Sequence, residues 1–123
     1  MLLAKQGVDV NQAMNSGATP LFIASIAGHV KIVAMLLAKQ GVDVNQAKND
    51  GATPLYVASA EGHAEVVSML LAKQGVNVNQ ADEDGATPLF KASQATPLFL
   101  GARHEGHAEV VSCLLYTSPS PRD

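Results

Sequence analysis

The sequence predicts an all-α solenoid of helix-turn-helix repeats with projecting turns, and two observations lead to this fold class. The pentapeptide GATPL followed by an aromatic residue begins at Gly17, Gly51 and Gly85, with a fixed spacing of 34 residues. Each spacing also holds two short helical patterns joined by a glycine. Internal repeats of about 20 to 50 residues are typical of solenoids, in which one unit cannot bury its own apolar face and neighbours stack to form the core. Such chains usually bind other molecules, so we expect this protein not to be an enzyme.

The first helix of a unit is predicted by its capping residues. Thr19 can accept a hydrogen bond from the unpaired amides of a helix start, and Pro20 follows where a missing N–H costs nothing. Leu21 and Ala24 supply a small apolar face, and the helix is predicted to end near Gly28.

The second helix is predicted to begin near His29 and to carry the core stripe of the unit. Ile32, Val33, Leu36 and Leu37 have helical spacing, and the stripe recurs as Val66, Val67, Leu70 and Leu71. A buried aliphatic side chain contributes on the order of 1.5–3 kcal/mol. Four of them offset the entropy of ordering a unit only when both flanks are covered, so isolated units should be unstable.

A polar turn follows the second helix. We expect Gly41 to end that helix because glycine enters the left-handed conformation without strain. The segment Val42–Asn45 then leads into a turn at Asn49–Gly51. This turn is predicted to project from the stack as a finger.

Taken in order, these residues resemble the ankyrin repeat: Thr-Pro-Leu, an alanine three residues on, Gly-His, paired aliphatic residues and Asp-Val-Asn. The resemblance covers nearly the whole chain up to about Ser112. It implies that fingers and inner helices line a concave groove that binds partner proteins. Two features depart from the family. Each unit is one residue longer than the usual repeat of about 33, the extra residue lying at Gln40 or Gln74. The usual histidine is replaced by an aromatic residue at Phe22, Tyr56, Phe90 and Phe99.

We divide the chain into five segments. Residues 1–16 form a partial repeat with the end of an outer helix and a finger, 17–50 and 51–84 are ankyrin repeats, 85–115 is an irregular repeat with an internal duplication, and 116–123 is a disordered tail.

Both ends of the chain depart from the repeat. Met1–Gly7 copies Met35–Gly41, so the chain starts within the pattern of a second helix, which we interpret as a truncated reading frame. On this interpretation Leu21 and Ile32 are incompletely covered, and low stability with frayed ends is expected. At the other end, Cys113–Asp123 resembles a translated sequencing-library adapter and is interpreted as an artefact; a natural Ser/Pro-rich tail is the alternative.

The third unit contains two competing helix starts. Ala95–Phe99 duplicates Ala86–Phe90, and Pro97 cannot lie inside a helix that continues from the first copy. One copy should form the inner helix and the other should loop out. We favour the second copy, Thr96–His104, because it joins directly to an outer helix predicted at His107–Leu115.

The composition restricts the function classes. The chain is 47% apolar and 15% charged with a net charge of −3, which suits a packed domain and argues against a nucleic-acid surface. No apolar run is long enough to span a membrane. The one cysteine, Cys113, lies in the adapter-like tail, so disulfides are excluded and a reducing, intracellular compartment is favoured. We expect a monomer.

Two motifs resemble metal sites but lack the geometry that a metal needs, and no cofactor or catalytic set is predicted. His104–His107 lacks the helical i, i+4 histidine pair of a zinc protease. Asp82–Asp84 is three carboxylates at one turn, whereas calcium needs six or more oxygens. His29, His63 and His107 each follow a glycine between two helices, which indicates imidazoles that hydrogen-bond loop backbone.

Differences between the copies identify candidate partner-binding residues, because finger tips and inner-helix ends vary while the framework is constant. The candidates are Asn15, Ser16, Ala18, Phe22, Ile26, Ala27, Asn49, Asp50, Ala52, Tyr56, Ala60, Glu61, Glu83 and Asp84. Neutral drift at exposed positions predicts the same pattern. Phe22 and Tyr56 are either aromatic anchors that face the groove or packing residues between repeats.

The predicted function is therefore a protein–protein interaction scaffold that binds a partner protein through finger turns and inner helices. The alternative is a regulatory or docking arm of a larger enzyme or membrane protein whose functional domain is missing from this fragment.

Overall fold

Six helices form two layers in the computed structural model, which describes residues 9–94 and 102–116, with side-chain surroundings in the second range given from residue 108 onward. The inner helices are α1 (Pro20–Ala27), α3 (Pro54–Glu61) and α5 (Pro88–Ser93), and the outer helices are α2 (Val30–Leu37), α4 (Ala64–Leu71) and α6 (Ala102–Leu115). Within these ranges the structure has no β-strand, in agreement with the all-α class. None of these helices combines the length and the apolar character needed to cross a membrane.

Threonine caps start the inner helices, as the sequence predicts. The Oγ1 atom of Thr19 accepts a hydrogen bond from the Phe22 N–H at 3.2 Å, and Thr53 does the same with Tyr56 at 3.1 Å. A proline occupies the first turn each time, where no backbone donor is needed. The first inner helix ends at Gly28, which has a φ of 74° and donates its N–H to carbonyls of the last turn.

The first outer helix ends earlier than predicted. Helix α2 stops at Leu37, and Ala38 caps it in right-handed geometry, so Gly41 does not terminate the helix. The physical reason is a separate turn, in which the Val42 N–H donates to the Lys39 carbonyl at 3.3 Å. Gly41 takes its positive φ of 88° inside that turn.

The core lies between the two layers and continues from repeat to repeat. The inner helices pack side by side, α1 against α3 and α3 against α5, and the outer helices pack in the same order. The predicted core stripe is confirmed at Val33, Leu36, Val66, Val67 and Leu70, which are buried. Leu37 and Leu71 are half-buried. Ile32 is exposed, so its place in the core stripe was wrong, although incomplete cover was expected there. Leu21, contrary to the same expectation, is fully buried in the core cluster that includes Val33 and Leu55.

In the third repeat, the preference for the second helix start was wrong. The first copy forms α5, Thr87 caps it, and Pro88 and Ala92 are buried where α5 packs against α3. The reason is spacing: Thr87 follows Thr53 by the same 34 residues that separate the earlier caps. The second copy lies mostly outside the described residues, and α6 begins at Ala102, ahead of the predicted His107.

Asparagine side chains tie successive loops together. The Asn11 amide donates to the Gly41 carbonyl at 2.8 Å, and its oxygen accepts from the Asp43 N–H at 2.8 Å. One repeat later, Asn45 makes the same two bonds to Gly75 and Asn77, at 2.8 and 2.7 Å. Each asparagine thereby satisfies backbone groups that no helix pairs.

Replacement of Asn45 should therefore destabilise the stack. We expect Asn45→Ala to lower the free energy of unfolding by about 1 kcal/mol, because one carbonyl and one N–H of the next loop lose their partner. Asn79→Ala is the matched control, since Asn79 occupies the same position of the next repeat but bonds no such loop within the described residues. Urea denaturation measures the free energy of unfolding of both variants. Equal losses for the two variants would contradict the assigned role.

Candidate partner-binding surface

Three fingers project between the repeats, at residues 14–17, 48–51 and 82–85, which we call fingers 1, 2 and 3. Each closes with two backbone hydrogen bonds. In finger 2 the Lys48 N–H donates to the Ala52 carbonyl and the Gly51 N–H donates to the Lys48 carbonyl, both at 2.8 Å. Fingers 1 and 3 repeat the pattern at equivalent residues. The predicted projecting turns are thus formed without strand structure.

Neighbouring fingers are joined into a ladder. The Asn49 N–H of finger 2 donates to the Ser16 carbonyl of finger 1 at 2.8 Å, and the Glu83 N–H of finger 3 donates to the Asp50 carbonyl at 2.9 Å. The Asn49 side chain adds a bond to the Asn15 carbonyl at 2.9 Å. The finger tips are therefore held at a fixed distance from one another by backbone groups, whatever side chains they carry.

Glycine is required where one finger meets the next. Gly51 has a φ of 91°, and a Cβ there would lie 2.8 Å from the Glu83 nitrogen and 2.9 Å from the Asp82 Cα. Both contacts are shorter than any real Cβ makes, and backbone atoms cannot move aside cheaply. The close approach of finger 3 to finger 2 depends on the absence of a side chain.

The candidate residues fall into two groups in the structure. Those on the surface are Asn15, Ser16, Ile26, Ala27, Asn49, Glu83 and Asp84, which are exposed, with Asp50, Tyr56, Ala60 and Glu61, which are half-buried. We call these residues the groove surface. Ala18, Phe22 and Ala52 are buried, so their side chains belong to the core and are not presented to a partner in this structure.

Phe22 packs between repeats. Its ring forms a buried cluster with Ala18, Ala52 and Val57, and Tyr56 lies against the cluster. The Lys48 ammonium lies 5.6 Å from the ring centroid, a cation–π distance. The sequence leaves two roles open for Phe22, an aromatic anchor or a packing residue between repeats. Its burial identifies it as a packing residue.

Tyr56, at the same position one repeat later, has a polar partner instead. Its hydroxyl donates to Asp82 Oδ2 at 2.7 Å, and the Lys91 ammonium lies 6.0 Å from its ring centroid. Burial of the hydroxyl, and then the bond to the carboxylate, raise the pKa of Tyr56 well above its ordinary value. The same hydrogen bond is the main cause that lowers the pKa of Asp82.

The Asp82 carboxylate also shapes finger 3. Its Oδ1 accepts from the N–H groups of Asp84 and Ala86, both at 2.9 Å. With Oδ2 bound to Tyr56, both oxygens are engaged with the protein itself, which agrees with the prediction that this acidic triplet is a turn. Within the described part of the chain, no group of three or more histidine, cysteine or acidic side chains is arranged to hold a metal ion.

At His63 the imidazole hydrogen-bonds backbone, as predicted, but the partner lies in an inner helix and not in the loop. Its Nε2 lies 3.0 Å from the Ile26 carbonyl of the preceding repeat, and because a carbonyl only accepts, Nε2 carries the proton. The imidazole therefore links the end of one inner helix to the next repeat.

Sequence reasoning missed Lys48, Lys91 and the role of Asp82. The available signal was covariation within the chain: Lys48 and Asp82 occupy equivalent positions, and each contacts the aromatic residue 26 positions before it. Phe22 is therefore paired with the cation of Lys48, and Tyr56 is paired with the hydrogen-bond acceptor of Asp82.

Comparison with known proteins identifies the repeat. A family model for ankyrin repeats in three copies matches residues 1–48 and 40–123. Comparison with curated proteins gave no match.

The finger contact can be tested with two glycine variants. Gly51→Ala and Gly85→Ala share the strain of a side chain at positive φ, about 1–3 kcal/mol. Only Gly51→Ala adds the backbone clash, since nothing lies within 4 Å of a Cβ at Gly85. We expect Gly51→Ala to lower the free energy of unfolding by about 1 kcal/mol or more beyond Gly85→Ala, as measured by urea denaturation. Equal losses would show that the fingers do not approach so closely.

The Tyr56 pKa can be tested by alkaline titration. Because the folded-state pKa of Tyr56 is raised, its contribution to stability is complete below the ordinary value of about 10 and is lost as the pH rises above it. In a Tyr116→Phe background, Tyr56 is the remaining tyrosine. We expect its tyrosinate absorbance to appear at higher pH in the native protein than in urea.

Asp82→Asn in the same background is the control. This variant removes the carboxylate charge, so the pKa of Tyr56 should move back toward its ordinary value. Superimposable native and urea titrations in the parent would rule out the Tyr56–Asp82 bond.

Proposed function

Because the chain belongs to the ankyrin repeat family, we propose that it is a non-enzymatic module that binds a partner protein through its fingers and inner helices. Ankyrin repeats are in general protein–protein interaction modules. The observation that carries the proposal is the finger ladder, which fixes the backbone while the exposed tip residues change from repeat to repeat.

The rigid backbone of the fingers favours binding. Ordering a loop at an interface costs conformational entropy, and a surface that is already ordered does not incur that cost. The bonds Asn49 N–H to Ser16 and Glu83 N–H to Asp50 hold the tips in place through backbone groups alone. A partner therefore meets a preformed row of side chains.

The groove surface has two chemically different ends. Near the first repeat it carries the exposed apolar side chains Ile26 and Ala27 beside uncharged finger residues. Near the third repeat it carries Glu83 and Asp84, both exposed. We infer a partner that places an apolar group against Ile26 and cationic groups near finger 3.

The proposal is tested by a pair of charge-matched variants. The groove variant combines Ile26→Glu with Glu83→Lys, and the control combines Ala34→Glu with Glu65→Lys on the outer helices. All four positions are exposed, and each pair changes the net charge equally. Proteins captured by the immobilised chain are identified by mass spectrometry, and binding is then measured with purified components.

We expect the groove variant to bind a partner at least about tenfold more weakly than the parent, equivalent to about 1.4 kcal/mol, and the outer-helix variant to bind as the parent does. A partner that is lost with the outer-helix variant and retained by the groove variant would overturn the assignment of the surface.

A further inference from the structure

Fingers 2 and 3 contain the same dipeptide, an aspartate followed by a glycine. The dipeptide is Asp50–Gly51 in finger 2 and Asp84–Gly85 in finger 3, and Ala-Thr-Pro-Leu follows both. In such a sequence the glycine nitrogen can attack the aspartate side chain, because glycine has no Cβ to obstruct a close approach. Since the dipeptide and the residues after it are the same, a difference in reactivity between the two sites must come mainly from the folded structure.

The Asp50 side chain is held by its own finger. Its Oδ1 accepts a hydrogen bond from the Ala52 N–H at 3.0 Å, and its Oδ2 lies 3.5 Å from the Lys48 ammonium. The Asp50 backbone carbonyl accepts from the Glu83 N–H at 2.9 Å. The carboxylate and the peptide group that must rotate for the ring to close are therefore both restrained.

In finger 3 another side chain takes the donor that would restrain Asp84. The Ala86 N–H stands at the position of the N–H that holds Asp50, but it donates to Asp82 Oδ1 at 2.9 Å. Asp82 also occupies the position of Lys48, so a carboxylate replaces the cation. The Asp84 carboxylate thus has neither of the partners that its counterpart has in finger 2.

We propose that Asp84 is a site of spontaneous conversion to isoaspartate in the folded protein, and that Asp50 is protected from this reaction. The Gly85 nitrogen attacks Asp84 Cγ, and the amide proton leaves with the side-chain hydroxyl as water, which closes a succinimide ring. A second water adds to the former backbone carbonyl carbon. The bond from that carbon to the nitrogen breaks, and a proton of this water passes to the nitrogen. The chain then runs through Cγ, and the former backbone carbonyl is a carboxylate.

The reaction takes place within one finger and changes how that finger closes. It adds a methylene group to the backbone between Asp84 and Gly85. The Gly85 N–H donates to the Asp82 carbonyl at 3.0 Å, and the Asp82 N–H donates to the Ala86 carbonyl at 2.9 Å, and both bonds span the altered peptide. Isomerisation therefore opens finger 3. Because the reaction needs no partner and no open docking face, it does not depend on the proposed function.

Prolonged incubation of the full chain at neutral pH, in buffer and in urea, tests the proposal. Isoaspartate at each position is quantified by mass spectrometry of peptides, with electron-transfer fragmentation that distinguishes the two linkages. In urea the two sites should react at similar rates. In the folded protein we expect Asp84 to react at least about tenfold faster than Asp50, the factor that corresponds to one hydrogen bond to a charged group.

Exchange of the first residues of the two fingers gives the decisive result. Asp82→Lys leaves the Ala86 N–H available to Asp84 and supplies the cation, so it should slow the reaction at Asp84 about tenfold. Lys48→Asp creates the finger 3 arrangement and should accelerate the reaction at Asp50. Asp82→Asn is the control, because it removes the charge but keeps an acceptor for the Ala86 N–H, so Asp84 should react as in the parent. Circular dichroism checks that the variants stay folded.

A folded parent in which Asp50 reacts as fast as Asp84 would overturn the proposal. So would a parent in which neither site reacts in buffer although both react in urea, or a folded Asp82→Lys variant in which Asp84 reacts at the parent rate. None of these results bears on the groove surface as a partner site.

Discussion

Contact between neighbouring repeats is the interaction on which the rest of this structure depends. A pair of short helices with a two-sided apolar surface can cover only part of that surface itself, and the burial of Val57 against Phe22 of the preceding repeat shows what the neighbour adds. The same junction is held by several kinds of hydrogen bond, among them asparagine side chains to loop backbone, finger to finger, lysine to the end of an outer helix, and imidazole to the end of an inner helix. Because the finger-to-finger bonds join backbone groups alone, the finger tips tolerate changes in their side chains. That tolerance lets the exposed residues vary while the fold stays the same.

Phe22 and Tyr56 replace the family's histidine at the same position of two repeats, and each has a different partner on the neighbouring finger. Phe22 has no polar atom, and its face is matched by the Lys48 ammonium. Tyr56 brings a hydroxyl, and Asp82, at the position of Lys48, accepts its hydrogen bond while organising the third finger. The second arrangement thus couples the packing between repeats to the shape of a finger through hydrogen bonds, whereas in the first Lys48 pairs with Asp50 of its own finger at 3.5 Å.

Much of the fold follows from the sequence because it is local. The threonine caps, the glycine ends of the inner helices and the buried pairs such as Val66 and Val67 need only neighbours along the chain or one repeat away. The choice between the two helix starts of the third repeat is not local, because both copies share the Ala-Thr-Pro-Leu-Phe signal and only the repeat spacing of 34 residues and the contact with α3 select the first. The groove surface was predicted as a region, but burial of Phe22 and the pairing of Tyr56 with Asp82 depend on the distance between finger and inner helix. The sequence indicates that distance only through the matched exchange of Phe22 and Lys48 for Tyr56 and Asp82.

The asparagine and histidine bonds described above also determine how far apart in the chain interacting residues lie. They join residues 30 to 37 positions apart, about one repeat in each case. Few contacts therefore require the ends of the chain to meet, and chains of this kind fold quickly for their length because little loop entropy is lost before the first contacts form. Because each repeat contacts only its neighbours, folding can start at any junction and spread in both directions. A change in the number of repeats would change how many repeats folding must spread through, but each step would still add one repeat to its neighbour.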